Sequence, residues 1–132
     1  MTSDMTPSRD LQRLIAIMAA LRTPVTGCPW DLKQDFDSFL PCLREELVEL
    51  EEAIRKRDVA NMREELGDLF FNLVFVARLA KEQGWFTADD ALAGIRDKII
   101  RRHPHVFGDA HCETSEQVLE QWAKIKKAEK AE

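Results

Sequence analysis

One segment constrains this chain more than any other. From Leu66 to Ala80 the only residues outside the apolar set are Gly67, Asp68, Asn72 and Arg78. The segment predicts a helix that is apolar almost all round and therefore buried on most sides. Yet Glu65, Asp68 and Asn72 stand at i, i+3 and i+7, so they draw one polar stripe down it. A buried position suits a carboxylate badly unless something compensates its charge. The stripe therefore needs an explanation beyond a solvated face.

The rest of the chain also reads as helix. A first helix is expected from about Ser8 to Arg22, with Leu11, Leu14, Ile15, Met18 and Leu21 on one stripe. Pro24, Gly27 and Pro29 mark Thr23 to Gln34 as a loop. A second helix, about Asp37 to Lys56, carries Leu40, Leu43, Leu47, Leu50 and Ile54 at three-and-four spacing; Pro41 fits only near its first turn or at a kink. After a turn near Arg57–Val59, the third helix runs to Gly84, a C-terminal stop. Thr87 and Asp90 resemble a capping box opening a fourth helix to about Arg102. The segment 103–112 reads as a loop, and Ser115 as the cap of a last helix ending near Lys130. No strand pattern, repeat or low-complexity linker is visible. The expectation is an all-α, four-helix-bundle-like fold with an additional helix, built around an antiparallel hairpin. It places residues 9–132 in a single domain behind a flexible N-terminus, residues 1–8.

The hairpin gathers carboxylates. The second helix reads Glu45-Glu46-Leu47-Val48-Glu49, and Glu46 and Glu49 are neighbours on its surface. Folded antiparallel about residue 57, Glu46 pairs in level with Asp68, and Glu49 with Glu65. Four carboxylates at one level repel one another, and a cation resolves the conflict. All-oxygen ligands favour hard ions such as magnesium, manganese or calcium. With no histidine or cysteine in the cluster, zinc is disfavoured. Glu51/Arg55 and Glu52/Lys56 read instead as ordinary surface ion pairs, and Glu45 has a surface reading too.

On the fourth helix Lys98 and Arg102 flank the seam Leu92, Ile95 and Ile99 and suit phosphates, with snorkelling stems as the plainer reading. Arg101 is expected to pair with Asp97. Trp30 and Trp122 are candidates to stack on a base, and Asn72 lies on the acidic stripe as a further substrate contact. Cys28, Cys42 and Cys112 form no C-x-x-C pair and read as reduced thiols. The net charge of −5 argues weakly against a nucleic-acid duplex as partner. No apolar run approaches the roughly 20 residues of a membrane helix, and no signal peptide is recognised. A cytoplasmic protein is the expectation.

The order Cys28-Pro29-Trp30-Asp31, Glu45-Glu46-x-x-Glu49, Glu65-Leu66-Gly67-Asp68, Arg101-Arg102-His103-Pro104-His105-Val106-Phe107 resembles the MazG nucleoside triphosphate pyrophosphohydrolases. The region Trp122 to Lys126 is similar to that family's C-terminal end. The acidic motifs are shared across a wider all-α superfamily; the C-P-W-D and R-R-H-P-H-V-F segments are the family-specific part. The resemblance implies hydrolysis of a nucleoside triphosphate to a monophosphate and pyrophosphate. It implies Mg2+, with Mn2+ as a possible substitute, on Glu46, Glu49, Glu65 and Asp68. It also implies Lys98 and Arg102 as phosphate contacts and a homodimer or dimer of dimers. Glu45 and Glu49 are the candidate general bases. Family members often carry aromatics around the acidic motif, where this chain has Cys42, Leu43, Leu47 and Val48 and no tyrosine anywhere; base selectivity is where that departure bears. A related specificity for dCTP, dUTP or phosphoribosyl-ATP, and a non-catalytic helical interaction module, are the competing readings.

Overall fold

The computed structural model describes residues 9–131. The expected flexible segment 1–8 lies outside the described residues. The described residues form α1 (Asp10–Leu21), α2 (Pro29–Leu32), α3 (Phe36–Arg55), α4 (Val59–Glu82), α5 (Ala88–Arg102), α6 (Pro104–Phe107) and α7 (Ser115–Ala131), with no strand among them. The all-α expectation holds. The chain divides into two compact units, Met1–Ala88 and Asp89–Glu132.

In the first unit, α3 and α4 form the expected antiparallel hairpin, and α1 packs on α4. Asp35 caps α3 by accepting from the Ser38 backbone at 2.8 Å, while the Ser38 hydroxyl accepts from the Asp35 N–H at 2.9 Å. Pro41 lies inside α3, in its second turn. The turn is as tight as the pairing about residue 57 requires. Arg57 adopts a left-handed φ of 53°, the Asp58 N–H returns to the Ala53 carbonyl, and the Asp58 side chain at once caps α4. At the far end Gly84, at φ 76°, stops α4, and Trp85 N–H closes back on Ala80 at 3.1 Å.

The core is Met18, Phe39, Val74, Phe75 and Leu79, with Phe39 and Phe75 stacked at 4.1 Å between centroids. The structure assigns one helix face here and corrects one expectation. The face of α3 turned toward α4 is not the leucine row. It runs Phe39, Cys42, Glu46, Glu49 and Ala53, while Leu40, Leu47 and Ile54 are exposed. Nor is α4 buried on most sides, because α1 and α3 cover only part of it and Leu66, Phe70 (50% exposed) and Leu73 face outward.

The second unit comprises α5 to α7 and buries no residue in its helices. Two details differ from expectation. Residues 104–107 form a helical turn where a loop was expected, with Pro104 at its first position. Thr114, not Ser115, caps α7, accepting from the Gln117 N–H at 3.2 Å. The other missed turn is α2 in the first unit, which also begins on a proline.

Candidate functional site

The site is built where α3 and α4 face each other midway along the hairpin. Because Glu46 and Glu49 lie on the same row as Phe39, Cys42 and Ala53, they point at α4 and not at solvent. Opposite them stands Glu65. These three half-buried carboxylates bring ligand oxygens within 4.8 Å of one another. Asp68 is exposed and outside that trio, but it lines the same cleft as Glu46. The level pairing read from the sequence thus brings three of the four acids together, with the fourth at the rim.

The electrostatics carry the mark of crowding. Burial pushes the Glu46 carboxyl above the ordinary carboxylate range, the charges of Glu49 and Asp68 push it further, and a hydrogen bond with Glu65 pulls the other way. Glu65 is raised chiefly by the close approach of the Glu46 carboxyl, and Glu49 chiefly by that of Glu65, with burial adding to both. One oxygen of Glu46 and one of Glu65 are buried with no hydrogen-bond partner. Orphaned buried carboxylate oxygens are costly unless a cation compensates them. The donor set is oxygen only, so the residues fit a hard divalent ion.

A cleft of about 300 Å³ opens beside the cluster, lined by Trp30, Phe39, Cys42, Glu45, Glu46, Asp68, Phe71 and Asn72. Trp30, on α2, is 54% exposed and lines this space. Asn72 is buried, and its amide donates to the Cys42 carbonyl at 3.2 Å, so part of its hydrogen-bonding capacity ties α4 to α3. Glu45 is exposed at the mouth. Toward the turn, Glu49 and Glu65 border a second cleft of about 260 Å³ with Glu52, Lys56, Asp58 and Asn61. The Glu51–Arg55 and Glu52–Lys56 pairs form as expected, at 2.7 and 3.1 Å.

The basic candidates belong to the second unit. Arg102, its side chain 14% exposed, donates to Glu129 at 2.8 Å and lies over the Trp122 ring, 5.6 Å from its centroid. Glu129 also takes Arg101, whose expected partner Asp97 instead pairs with Arg96 at 2.9 Å. These contacts hold the Glu129 carboxyl below the usual carboxylate range, the Arg102 hydrogen bond first. His103 meets the Trp122 ring edge-on at 5.2 Å, and Gln121 joins His105 at 2.9 Å. Lys98 is half-buried.

Arg22 and Glu82 were not singled out in the sequence, and no local signal could have found them. They are sixty positions apart, yet the Arg22 guanidinium binds both oxygens of Glu82 and the backbone of the α2 region.

A family model described as the MazG nucleotide pyrophosphohydrolase domain matches residues 34–107. The chain is 47% identical over 122 residues to a nucleoside triphosphate pyrophosphohydrolase of Escherichia coli (strain K12), covering 92% of this chain and 46% of that one. It is 45% identical over 119 residues to the nucleoside triphosphate pyrophosphohydrolase/pyrophosphatase MazG of Thermotoga maritima, covering 90% and 45%. The chain thus spans about half the length of these curated relatives. Among solved structures, a mazG-related protein from Thermotoga maritima superposes with a TM-score of 0.74 at 32% identity, covering 88% of this chain and 98% of that one.

Proposed function

The chain belongs to the MazG nucleotide pyrophosphohydrolase family, and from that premise we propose that it hydrolyses nucleoside triphosphates to a nucleoside monophosphate and pyrophosphate, water attacking between the α and β phosphates. One observation carries the reading. Three carboxylates from two helices converge within 4.8 Å, with two buried oxygens left without partners.

Glu46, Glu49 and Glu65, with Asp68 at the rim, would hold magnesium, with manganese as a substitute. Such an ion, when bound, polarises phosphoryl oxygens and lowers the pKa of the attacking water. The protein's own groups do the rest. Trp30 offers its exposed ring to the base at the cleft mouth. Glu45 is the better candidate to accept the proton of water, because Glu49 is already assigned to the ion and Glu45 lies exposed along the cleft. Lys98 is the stronger phosphate candidate of the basic pair. Arg102 is already held by Glu129 and Trp122, so it and Trp122 would reach substrate only as a preformed pair or after exchanging partners.

The outward rows Leu40, Leu47, Ile54 and Leu66, Phe70, Leu73 support a homodimer or dimer of dimers in which a second copy covers them. The family match extends across residues 34–107, so both compact units are read as parts of one domain. Among the described residues no helix is long and apolar enough to cross a membrane. With three free cysteines, action on the nucleotide pool of the cytoplasm is the reading that follows.

The test is incubation with magnesium and each common triphosphate, ribo- and deoxyribo-, followed by assay of both products. Monophosphate with pyrophosphate is the expected outcome. Diphosphate with orthophosphate rejects the proposed cut, and no product from any substrate rejects the enzyme reading.

A further inference from the structure

We propose that Arg22, gripped by Glu82, is a positioning residue that holds α2 so that Trp30 stays over the acidic cleft. The inference rests on the functional reading above for what Trp30 does, and on the geometry below for how it is held.

Trp30 has little packing of its own to fix it, being more than half exposed. Its place depends on α2, a single helical turn of four residues. A lone turn is not stable by itself in water. What fastens it is the Arg22 guanidinium, whose side chain is only 9% exposed. One nitrogen, Nη1, donates to the carbonyl of Asp31, the residue after Trp30, and to that of Gln34 at 3.0 Å. On its other edge Nε and Nη2 donate to the two oxygens of Glu82, in the last turn of α4. This is the forked geometry that guanidinium makes with carboxylate. The group also lies over the ring of Phe75, 5.7 Å from its centroid, and Phe75 is fully buried. Arg22 therefore fastens α2 to α4 through the centre of the core.

The connecting loop leaves α2 little freedom to slip. A Cβ at Gly27 would sit 2.3 Å from the Leu21 carbonyl oxygen and 2.5 Å from that of Thr23, so the chain closes there only with glycine. Val25 is held at a left-handed φ of 73°. The Cys28 N–H returns to the Leu21 carbonyl at 2.9 Å. The carboxylates of the cluster stand on α3 and the first half of α4, away from Glu82 at the end of that helix. Loosening Arg22 should therefore weaken substrate binding through Trp30 and leave the hydrolytic step largely intact.

The experiment uses the full chain with 5-fluorotryptophan in place of its three tryptophans. The Trp30 fluorine resonance is assigned by its loss in Trp30→Phe. Arg22→Lys keeps a cation for Glu82 but cannot serve both sides of the fork. It should shift or broaden the Trp30 resonance while leaving that of Trp122 in place. It should also raise KM for the best triphosphate about tenfold, with kcat changed less than about threefold, as expected for lost binding without lost transition-state contacts. Glu82→Gln preserves size and an acceptor, and should move both readings the same way by less. An unmoved Trp30 resonance with unchanged KM overturns the proposal, as does a fall in kcat at constant KM. If the wild-type protein turns over no triphosphate, the functional reading fails, and the fluorine spectra alone then support or overturn the hold on Trp30.

Discussion

The two compact units are held together by different physics. The first buries Met18, Phe39, Val74, Phe75 and Leu79 in a shared cluster, and the acids of the cleft are set into the same helix faces. The second buries no residue in its helices and leaves Leu92, Ile95, Ile99, Ile100 and Leu119 open. Its internal ties are polar and aromatic: Arg101 and Arg102 on Glu129, Arg102 and His103 on Trp122, Gln121 on His105. Apolar burial supplies the larger and less salt-sensitive stabilisation, whereas a pair such as Arg101–Glu129, with Arg101 half exposed, supplies little. The first unit can thus hold repelling carboxylates in place, because its core resists their separation. The second carries cations whose own partners must be given up or shared if they are to meet phosphate.

The largest test of that contrast is Phe75→Ala. Removing the centre of the core should cost about 3–5 kcal/mol of stability in denaturant unfolding. Leaving the protein stable would mean that the cluster has another scaffold.

Next in size, Glu49→Ala should lower kcat/KM by more than the roughly 100-fold that loss of an outer metal partner can reach, and Asp68→Ala should do likewise. Their magnesium-free stability should hold or rise, because each removes a repelling charge. Unchanged kinetics in both would take the chemistry away from the first unit.

Magnesium itself should raise the stability of the chelator-treated protein by about 2.7 kcal/mol when present at about 100 times its Kd. The gain should vanish in Glu49→Ala. A melting temperature indifferent to magnesium would favour a helical module without metal.

A smaller effect distinguishes the second unit by pH. Glu129 is held below its ordinary range by Arg102 and Arg101, so it binds protons less readily folded than unfolded. Its stabilising contribution is therefore present above the unfolded carboxylate pKa, and is lost as pH falls through the lower, folded value. Glu129→Gln should flatten that acid loss in melts followed downward from pH 6. Glu82, lowered chiefly by Arg22, obeys the same sign in the first unit. A Glu129→Gln protein with the wild-type acid profile would break the account of the second unit.

Smallest of all, Leu119→Ala should change stability by no more than about 0.5 kcal/mol, since the side chain is exposed. A larger loss at micromolar protein would show that a second copy covers that face.

Much of the candidate site was legible in the sequence, because helices repeat. Spacing of three and seven put Glu65, Asp68 and Asn72 on one stripe, and pairing about residue 57 set Glu46 and Glu49 level with Asp68 and Glu65, of which Asp68 stays outside the converging trio. Arg57 and Asp58 form that turn. The face of α3 was not legible. Its leucine row and its Phe39–Ala53 row are adjacent, both carry apolar residues, and periodicity alone cannot say which one meets α4. In the sequence Pro29 and Pro104 read as parts of loops, although each opens a helical turn.

Local periodicity and turn chemistry, then, determined from sequence alone that the chain is helical, where its hairpin bends and that acids from two helices share a level. Those properties depend on neighbours a few residues apart. Only the tertiary structure decided that Asp68 stands at the rim while Glu46, Glu49 and Glu65 converge, that Arg102 is already partnered, and that Arg22 reaches Glu82. Each of those is set by how side chains from distant segments fill one space, and close packing has no counterpart in the one-dimensional pattern.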